Sequence, residues 1–80
     1  MSPTVFRSKG YRFYFLSNEE MRMHIHVQCE AGEAKFWIEP IVSLATYFGL
    51  NTKQLNEVKK IVEKRKDEII EEWKKHFSKR

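Results

Sequence analysis

The stretch of sequence that decides the fold is residues 24–39, HIHVQCEAGEAKFWIE. In its first half Ile25, Val27 and Cys29 alternate with polar residues, and apolar side chains alternate again in its second half. Alternation with a period of two is typical of a β-strand that buries one face. The stretch therefore predicts two antiparallel strands joined by a tight turn at Ala31-Gly32.

The turn also predicts which residues face each other across this hairpin. A slip of one residue would turn one strand over, so the apolar side chains must pair with one another. A loop centred on Ala31-Gly32 pairs Val27 with Phe36, Ile25 with Ile38, Cys29 with Ala34, Gln28 with Lys35, His26 with Trp37 and His24 with Glu39. We therefore expect the exposed face of the sheet to present His24, His26, Trp37 and Glu39 together.

The remaining segments predict an α+β fold. Residues 4–7 and 11–16 are rich in β-branched and aromatic residues and are candidate strands. Residues 41–48 are predicted to form a short helix, and residues 52–77 contain no Gly or Pro and place apolar residues at helical spacing. The predicted architecture is a small antiparallel β-sheet of three to four strands, followed by a short helix and a long amphipathic C-terminal helix packed on one face.

A continuous helix over residues 52–77 would be too long for so small a sheet. It would extend about 39 Å at 1.5 Å per residue, whereas a compact globule of this size is about 30 Å across. Either the helix bends near Arg65-Lys66, or its last apolar residues cover the surface of another copy or another protein. Those residues are Ile69, Ile70, Trp73 and Phe77.

Length and composition indicate a single domain spanning residues 1–80. A chain this short cannot bury two cores, and a hydrophobic content of 41% is too high for disorder. Cys29 is the single cysteine, so neither an internal disulfide nor a thiolate metal cluster supports the core. We find no pattern typical of a membrane span or a signal peptide, and we expect a cytoplasmic protein without a cofactor.

Positive charge is concentrated in the C-terminal part of the chain. The net charge is +4, and residues 53–80 carry ten basic and six acidic residues. A positive surface attracts phosphates or an acidic partner, although it is often only a solvated helix face. Arg65 and Lys66 lie within this segment, and together with Trp73 and Phe77 they are candidate contacts to a partner or to nucleic acid.

His24 and His26 are two residues apart, so both imidazoles are expected on the same face of a strand. They could share a divalent metal if Glu39 were a third ligand, but we predict no metal site. Alternatively, one His acts as base and the other as acid, as in metal-independent RNA cleavage. Two histidines exposed on a strand can also be surface residues without either role.

Basic and aromatic residues occur together in the strand segments. Sheets bind single-stranded nucleic acid by tracking phosphates with cations and stacking bases on aromatic rings. The residues that could form such a surface are Arg7, Lys9, Arg12, Tyr14, Lys35 and Trp37. The alternative is that Tyr14 and Trp37 belong to the core or rim of the sheet.

Residues 41–60 favour a third kind of site. The segment ATYFG at residues 45–49, followed by a helix with a polar start, has the spacing of a helix-turn-helix, which would suit a DNA-binding regulator. A recognition helix is normally short, whereas this second helix is long. An ordinary pair of antiparallel helices is therefore the alternative.

Five blocks of sequence together resemble one family of short bacterial proteins, catalogued as domain of unknown function 4160. They are PTV at residues 3–5, GYRFYF at 10–15, HIHV at 24–27, AKFWIEP at 34–40 and WKKHF at 73–77. The resemblance implies a toxin–antitoxin-like gene arrangement with a second small protein encoded alongside, and it carries no settled reaction. The family usually has two prolines directly before its first His, where this chain has Arg22-Met23.

The leading hypothesis is therefore a non-enzymatic binding component of a toxin–antitoxin-like two-protein module. It would contact a second small protein or another copy of itself, and its basic surface would hold nucleic acid or an acidic partner. One alternative is a small ribonuclease toxin that uses His24 and His26, with Arg12 or Lys35 holding the phosphate. The other is a DNA-binding regulator that uses residues 41–60.

Overall fold

Five antiparallel strands and two helices follow one another in the computed structural model, which describes residues 4–16 and 22–77. The elements are β1 (Thr4–Ser8), β2 (Tyr11–Tyr14), β3 (His24–Gln28), β4 (Glu33–Trp37), β5 (Ser43–Phe48), α1 (Thr52–Lys64) and α2 (Lys66–Phe77). The strands form one sheet in the order β1-β2-β3-β4-β5, so each pairs with its neighbours in sequence. The predicted α+β class is confirmed, with five strands rather than three to four.

The β3–β4 hairpin has the predicted faces and a different register. Ile25 lies opposite Phe36 and Val27 opposite Ala34, so the apolar side chains still share one face. The turn residues are Glu30-Ala31, because the N–H groups of Cys29 and Gly32 donate to each other's carbonyl oxygens at 2.9 and 3.3 Å. Moving the turn by one residue shifts the pairing by two, which preserves the faces but places Trp37 opposite His24.

Residues 41–48 do not form the predicted short helix. Most of this segment is strand β5, which pairs with β4 and carries a bulge where the register shifts between Lys35 and Phe36. The segment is a short apolar run rich in β-branched and aromatic residues, and such runs fit a strand or a helix equally well by pattern. Pairing with the free edge of β4 makes this segment a strand. The helix-turn-helix interpretation of residues 41–60 is therefore wrong, because its predicted first helix is a strand.

The predicted long helix is broken at Arg65, where φ is −108° and ψ is 24°. The bend near Arg65-Lys66, one of the two alternatives given by the helix length, is therefore the one observed. The start of α1 is also as predicted: Gln54 donates its N–H to Asn51 Oδ1 at 2.8 Å, and Asn51 donates its own to Gln54 Oε1 at 3.0 Å. This capping box satisfies two N–H groups at the helix start.

The two helices pack on one face of the sheet and close its core. Trp73 is 8% exposed and Ile69 is fully buried, while Ile70 and Phe77 are partly buried against the same core. Of the two alternatives for the end of the predicted long helix, the structure shows the bend, because the break at Arg65 turns α2 back onto the sheet and buries Ile69 and Trp73. The core comprises Phe6, Tyr11, Phe13, Phe15, Ile25, Val27, Ala34, Phe36, Ile38, Val42, Leu50, Val58, Val62, Ile69 and Trp73.

None of the helices in residues 4–16 and 22–77 is both long enough and apolar enough to span a membrane.

Candidate functional site

The side of the sheet opposite the helices is the candidate site, and we call it the open face. Residues paired across neighbouring strands point to the same side of a sheet, so the pairing defines its rows. The first row is Arg7, Arg12, Gln28, Glu33 and Phe48, the second is Thr4, Tyr14, His26, Lys35 and Thr46, and the third is His24, Trp37 and Ser43.

Arg12 is held over the ring of Tyr14 at the β2 end of the open face. Its Nε donates to Thr4 Oγ1 at 2.7 Å, its Nη1 donates to Gln28 Oε1 at 3.3 Å, and its guanidinium carbon is 4.5 Å from the centre of the Tyr14 ring. These contacts come from β1, β2 and β3. They fix the position of a cation that would otherwise be mobile.

Tyr14 and His26 stack side by side in the second row. Their ring centres are 5.4 Å apart and the planes are inclined by 25°. Burial raises the pKa of Tyr14 and Glu33 raises it further, against an opposing effect of Arg12. The phenol is therefore neutral around pH 7 and presents a hydroxyl rather than a negative charge to the open face.

Trp37 is the half-buried aromatic residue of the third row, and two cations lie against it. The guanidinium carbon of Arg22 is 4.2 Å and the Lys35 Nζ is 4.6 Å from the ring centre. Cations at these distances are attracted by the negative face of an indole. Arg22 and Lys35 therefore place positive charge directly beside an aromatic surface.

His24 does not lie on the exposed surface as predicted, because it is fully buried. Its ring centre is 5.2 Å from that of Trp73 and 5.8 Å from that of Trp37, at the end of the sheet where α2 turns back. His24 Nδ1 lies 2.7 Å from the carbonyl oxygen of Arg22. Since a carbonyl only accepts, Nδ1 carries a proton and donates it.

A groove of about 280 Å³ runs along the middle of the open face. Its walls include Tyr14, Leu16, His26, Lys35, Thr46 and Phe48. Phe48 stands at the rim with 75% of its surface exposed. The groove therefore combines an exposed ring, a stacked pair of rings, the cation of Lys35 and the carboxylate of Glu33.

The structure brings together only some of the residues predicted to form a site. Arg7, Arg12, Lys35 and Trp37 share the open face with His26. Arg65 lies on the helix side, where its guanidinium carbon is 3.6 Å from the Phe6 ring centre and its Nε donates to Glu68 Oε1 at 2.8 Å. Lys66 begins α2, and Trp73 and Phe77 belong to the core or its margin.

Two members of the open face were not found from the sequence. Arg22 precedes β3 by two residues, and its approach to Trp37 is a tertiary contact with no local pattern. Phe48 was assigned to a helix, which hid its place beside Glu33 in the first row. A strand prediction for residues 43–48 would have indicated it.

Burial limits the chemistry that His24 can perform. A general acid or base must reach its substrate, and buried His24 is closed off by Trp37 and Trp73. Within the described residues there is no group of three or more His, Cys, Asp and Glu side chains that could hold a metal ion. Among the strand residues paired on the open face are three cations, Arg7, Arg12 and Lys35, and the carboxylate of Glu33, while Arg22 lies against Trp37.

The fold and this face define a class of small α+β protein: a five-stranded meander packed by two helices on one side, with a basic and aromatic surface on the other. The chain belongs to the family described as Domain of unknown function (DUF4160), whose family model matches residues 10–74. The match runs from the start of β2 into the last turns of α2 and confirms the resemblance found in the sequence. No curated protein and no solved structure matches the chain.

Proposed function

We propose that this protein is a non-enzymatic binding protein whose open face holds single-stranded RNA, and that it acts as one component of a bacterial toxin–antitoxin-like two-protein module. The observation that carries the RNA proposal is the placement of three cations, Arg12, Arg22 and Lys35, against aromatic rings on the open face, with Arg7 opposite Arg12 in the first row. Cations and rings on one surface are what a flexible, unpaired strand of nucleic acid requires.

The cations are spaced to follow a phosphate backbone. Neighbouring strands lie about 4.8 Å apart, so Arg7 on β1 and Lys35 on β4 are about 14 Å apart across the sheet. Arg12 lies between them and is already oriented by Thr4 and Gln28. A single strand a few nucleotides long would run across the sheet and meet the three cations in turn.

The aromatic rings supply the contacts to bases. Phe48 is exposed at the rim of the groove and is ready to stack. Trp37 is covered by Arg22 and Lys35 in the unbound protein, and a phosphate that attracts either cation uncovers the indole face. Stacking of one base on an aromatic side chain contributes about 1–3 kcal/mol and depends little on sequence.

Duplex DNA fits this surface less well. The major groove admits a helix or a two-stranded ribbon, whereas the open face is the broad side of a five-stranded sheet. The helix-turn-helix that would have served a regulator is not formed. Unpaired bases, which can be splayed over a sheet, are the better ligand.

A direct test measures the binding of a fluorescent single-stranded RNA of mixed sequence by anisotropy. The test variant is Arg7→Glu/Lys35→Glu, and the control is Lys53→Glu/Lys60→Glu, which makes the same charge change at exposed positions of α1. We expect the open-face variant to weaken binding at least about tenfold more than the control, because phosphate contacts dominate affinity. Equal weakening by both variants, or tighter binding of duplex DNA, would contradict the proposal.

The same titration tests the absence of catalysis. RNA recovered from it should be intact on a denaturing gel. Cleavage that disappears in His26→Ala would instead favour the ribonuclease alternative. The module itself is tested separately, by co-expression with the product of the adjacent gene: we expect a complex that survives two chromatographic steps, and separate elution of the two proteins would contradict it.

A further inference from the structure

Strand β5 is an edge of the sheet, and its outer side offers unpaired backbone groups. It pairs only with β4 within the described residues. Within the described residues, the exposed large apolar side chains are Ile41, Leu44, Tyr47 and Phe48, with exposures from 39% to 75%. Among residues 4–16 and 22–77, exposed large apolar side chains are therefore confined to one edge of the sheet and the loop that leads into it.

This edge also lacks the charged side chains by which sheet edges usually avoid association. Residues 40–52 contain no charged residue, although 32% of the chain is charged. The opposite edge, β1, carries Arg7 at an exposed position. Natural edge strands are commonly protected by charges, and β5 has none.

We infer that a second copy of this chain pairs with β5, antiparallel and around a two-fold axis, to make one sheet of ten strands. The bulge in β5 makes the strand complementary to itself. Leu44 and Tyr47 point to the helix side because they lie opposite Phe36 and Ala34, while Ser43 and Phe48 point to the open face. One register therefore matches both faces, with Leu44 opposite Tyr47 of the second copy and Ser43 opposite its Phe48.

A groove on the helix side of the sheet would be filled by the second copy in this register. It has a volume of about 240 Å³ and is lined by Phe36, Leu44, Thr52, Leu55, Asn56 and Lys59. Tyr47 of the second copy, placed beside Leu44, would extend over this groove. The pairing would cover Leu44, Tyr47 and the groove at once, and burial of apolar surface would stabilise it.

The charge distribution favours association of two copies at this edge rather than at any other surface of the protein. Two copies with a net charge of +4 repel each other, and the repulsion is weakest where the contacting segment is neutral. Pairing through β5 also joins the two open faces into one surface. The inference does not depend on RNA binding, because it rests on the edge strand alone.

Sedimentation velocity of the full chain over a wide concentration range tests this dimer. We expect the wild type to sediment with twice the chain mass. Tyr47→Lys should raise the dimer dissociation constant at least about tenfold, since it buries an ammonium group against Leu44. Thr4→Lys adds the same charge to the opposite edge strand and should leave the dimer unchanged.

Hydrogen exchange of the wild type gives a second readout that does not rely on a variant. Backbone N–H groups of residues 43–48 that point away from β4 should become protected as concentration rises. A wild type that stays monomeric, a Tyr47→Lys variant that dimerises as well as the wild type, or a β5 edge protected only by the adjacent gene product would each overturn the inference. RNA binding by a monomer would leave the proposed function intact and still overturn the dimer.

Discussion

Gly32 and Gly49 lie backbone against backbone, one position beyond the Glu33–Phe48 pair of β4 and β5. A methyl group on Gly32 would overlap the carbonyl oxygen of Phe48 and lie 2.9 Å from the Cα of Gly49. Gly32 itself does not adopt a left-handed φ, so the position needs glycine for space rather than for conformation. This close contact joins the end of the edge strand β5 to the turn of the central hairpin.

Gly32→Ala should therefore lower the free energy of unfolding by about 3 kcal/mol, because the atoms in the way belong to the backbone and cannot rotate aside. Urea denaturation followed by circular dichroism measures the change. Gly10→Ala is the control: Gly10 has φ +86° but open space around it, so only conformational strain of about 1 kcal/mol is expected. A smaller loss of unfolding free energy for Gly32→Ala than for Gly10→Ala would contradict the close backbone contact.

Trp73 is the residue by which α2 closes the core. Its ring meets Phe15 edge to face at 5.3 Å and lies 4.1 Å from the ring centre of Phe77. Trp73→Ala should cost about 3–5 kcal/mol of unfolding free energy, as removal of a buried aromatic side chain leaves a cavity. For a small domain this loss approaches the total stability.

The neighbouring Lys74→Ala provides the control for Trp73→Ala. Lys74 is exposed on the same helix, and its substitution should change stability by less than about 0.5 kcal/mol. If Trp73→Ala kept wild-type stability but lost a partner protein, Trp73 would be a surface residue. The apolar face of α2 would then be a surface for a partner.

The faces of the central hairpin were predictable because period-two alternation is a local signal that survives an error in the loop. Its register was not, because Gly32 looks like a turn residue in the sequence while its role is the tertiary contact with Gly49. Strand β5 was missed for a related reason. A short apolar segment can form a strand or a helix, and here pairing with β4 makes residues 43–48 a strand.

The candidate site was predictable in composition and only partly in geometry. Arg7, Arg12, Lys35 and Trp37 fell on one face because strand alternation puts them there. His24 is buried because the helix breaks at Arg65 and Trp73 then packs over the end of the sheet. The amphipathic pattern of residues 52–77 continues through that break, so the pattern does not reveal it. The contact of Arg22 with Trp37 depends on a loop conformation that no periodic pattern encodes.

Stability should fall at high pH through Tyr11. Burial, together with a hydrogen bond that Tyr11 donates to Glu57 Oε1 at 3.0 Å and the charge of that carboxylate, raises the pKa of Tyr11 from 10.0 to about 12. The folded state thus favours the neutral phenol, and its stabilising effect is complete below pH 10. It is lost as the pH rises from 10 through about 12, because the unfolded chain ionises first.

Comparison with Tyr11→Phe isolates this effect. At pH 8 the wild type should be more stable by about 0.5–1.5 kcal/mol, the usual contribution of one hydrogen bond. Between pH 10 and pH 12 the difference should shrink in urea titrations. A constant difference between the wild type and Tyr11→Phe across this range would rule out the link between Tyr11 and Glu57.

Trp37 should contribute to RNA affinity through its ring and not through its bulk. Trp37→Leu removes the aromatic face beside Arg22 and Lys35, and we expect the dissociation constant for single-stranded RNA to rise about tenfold, within the range measured for one stacked base. Trp37→Phe keeps an aromatic face and should recover most of that loss. Fluorescence anisotropy measures both variants, and thermal unfolding checks that each is folded. If Leu and Phe weaken binding equally, the indole serves only to position its two cations, and base stacking on the third row of the open face is excluded.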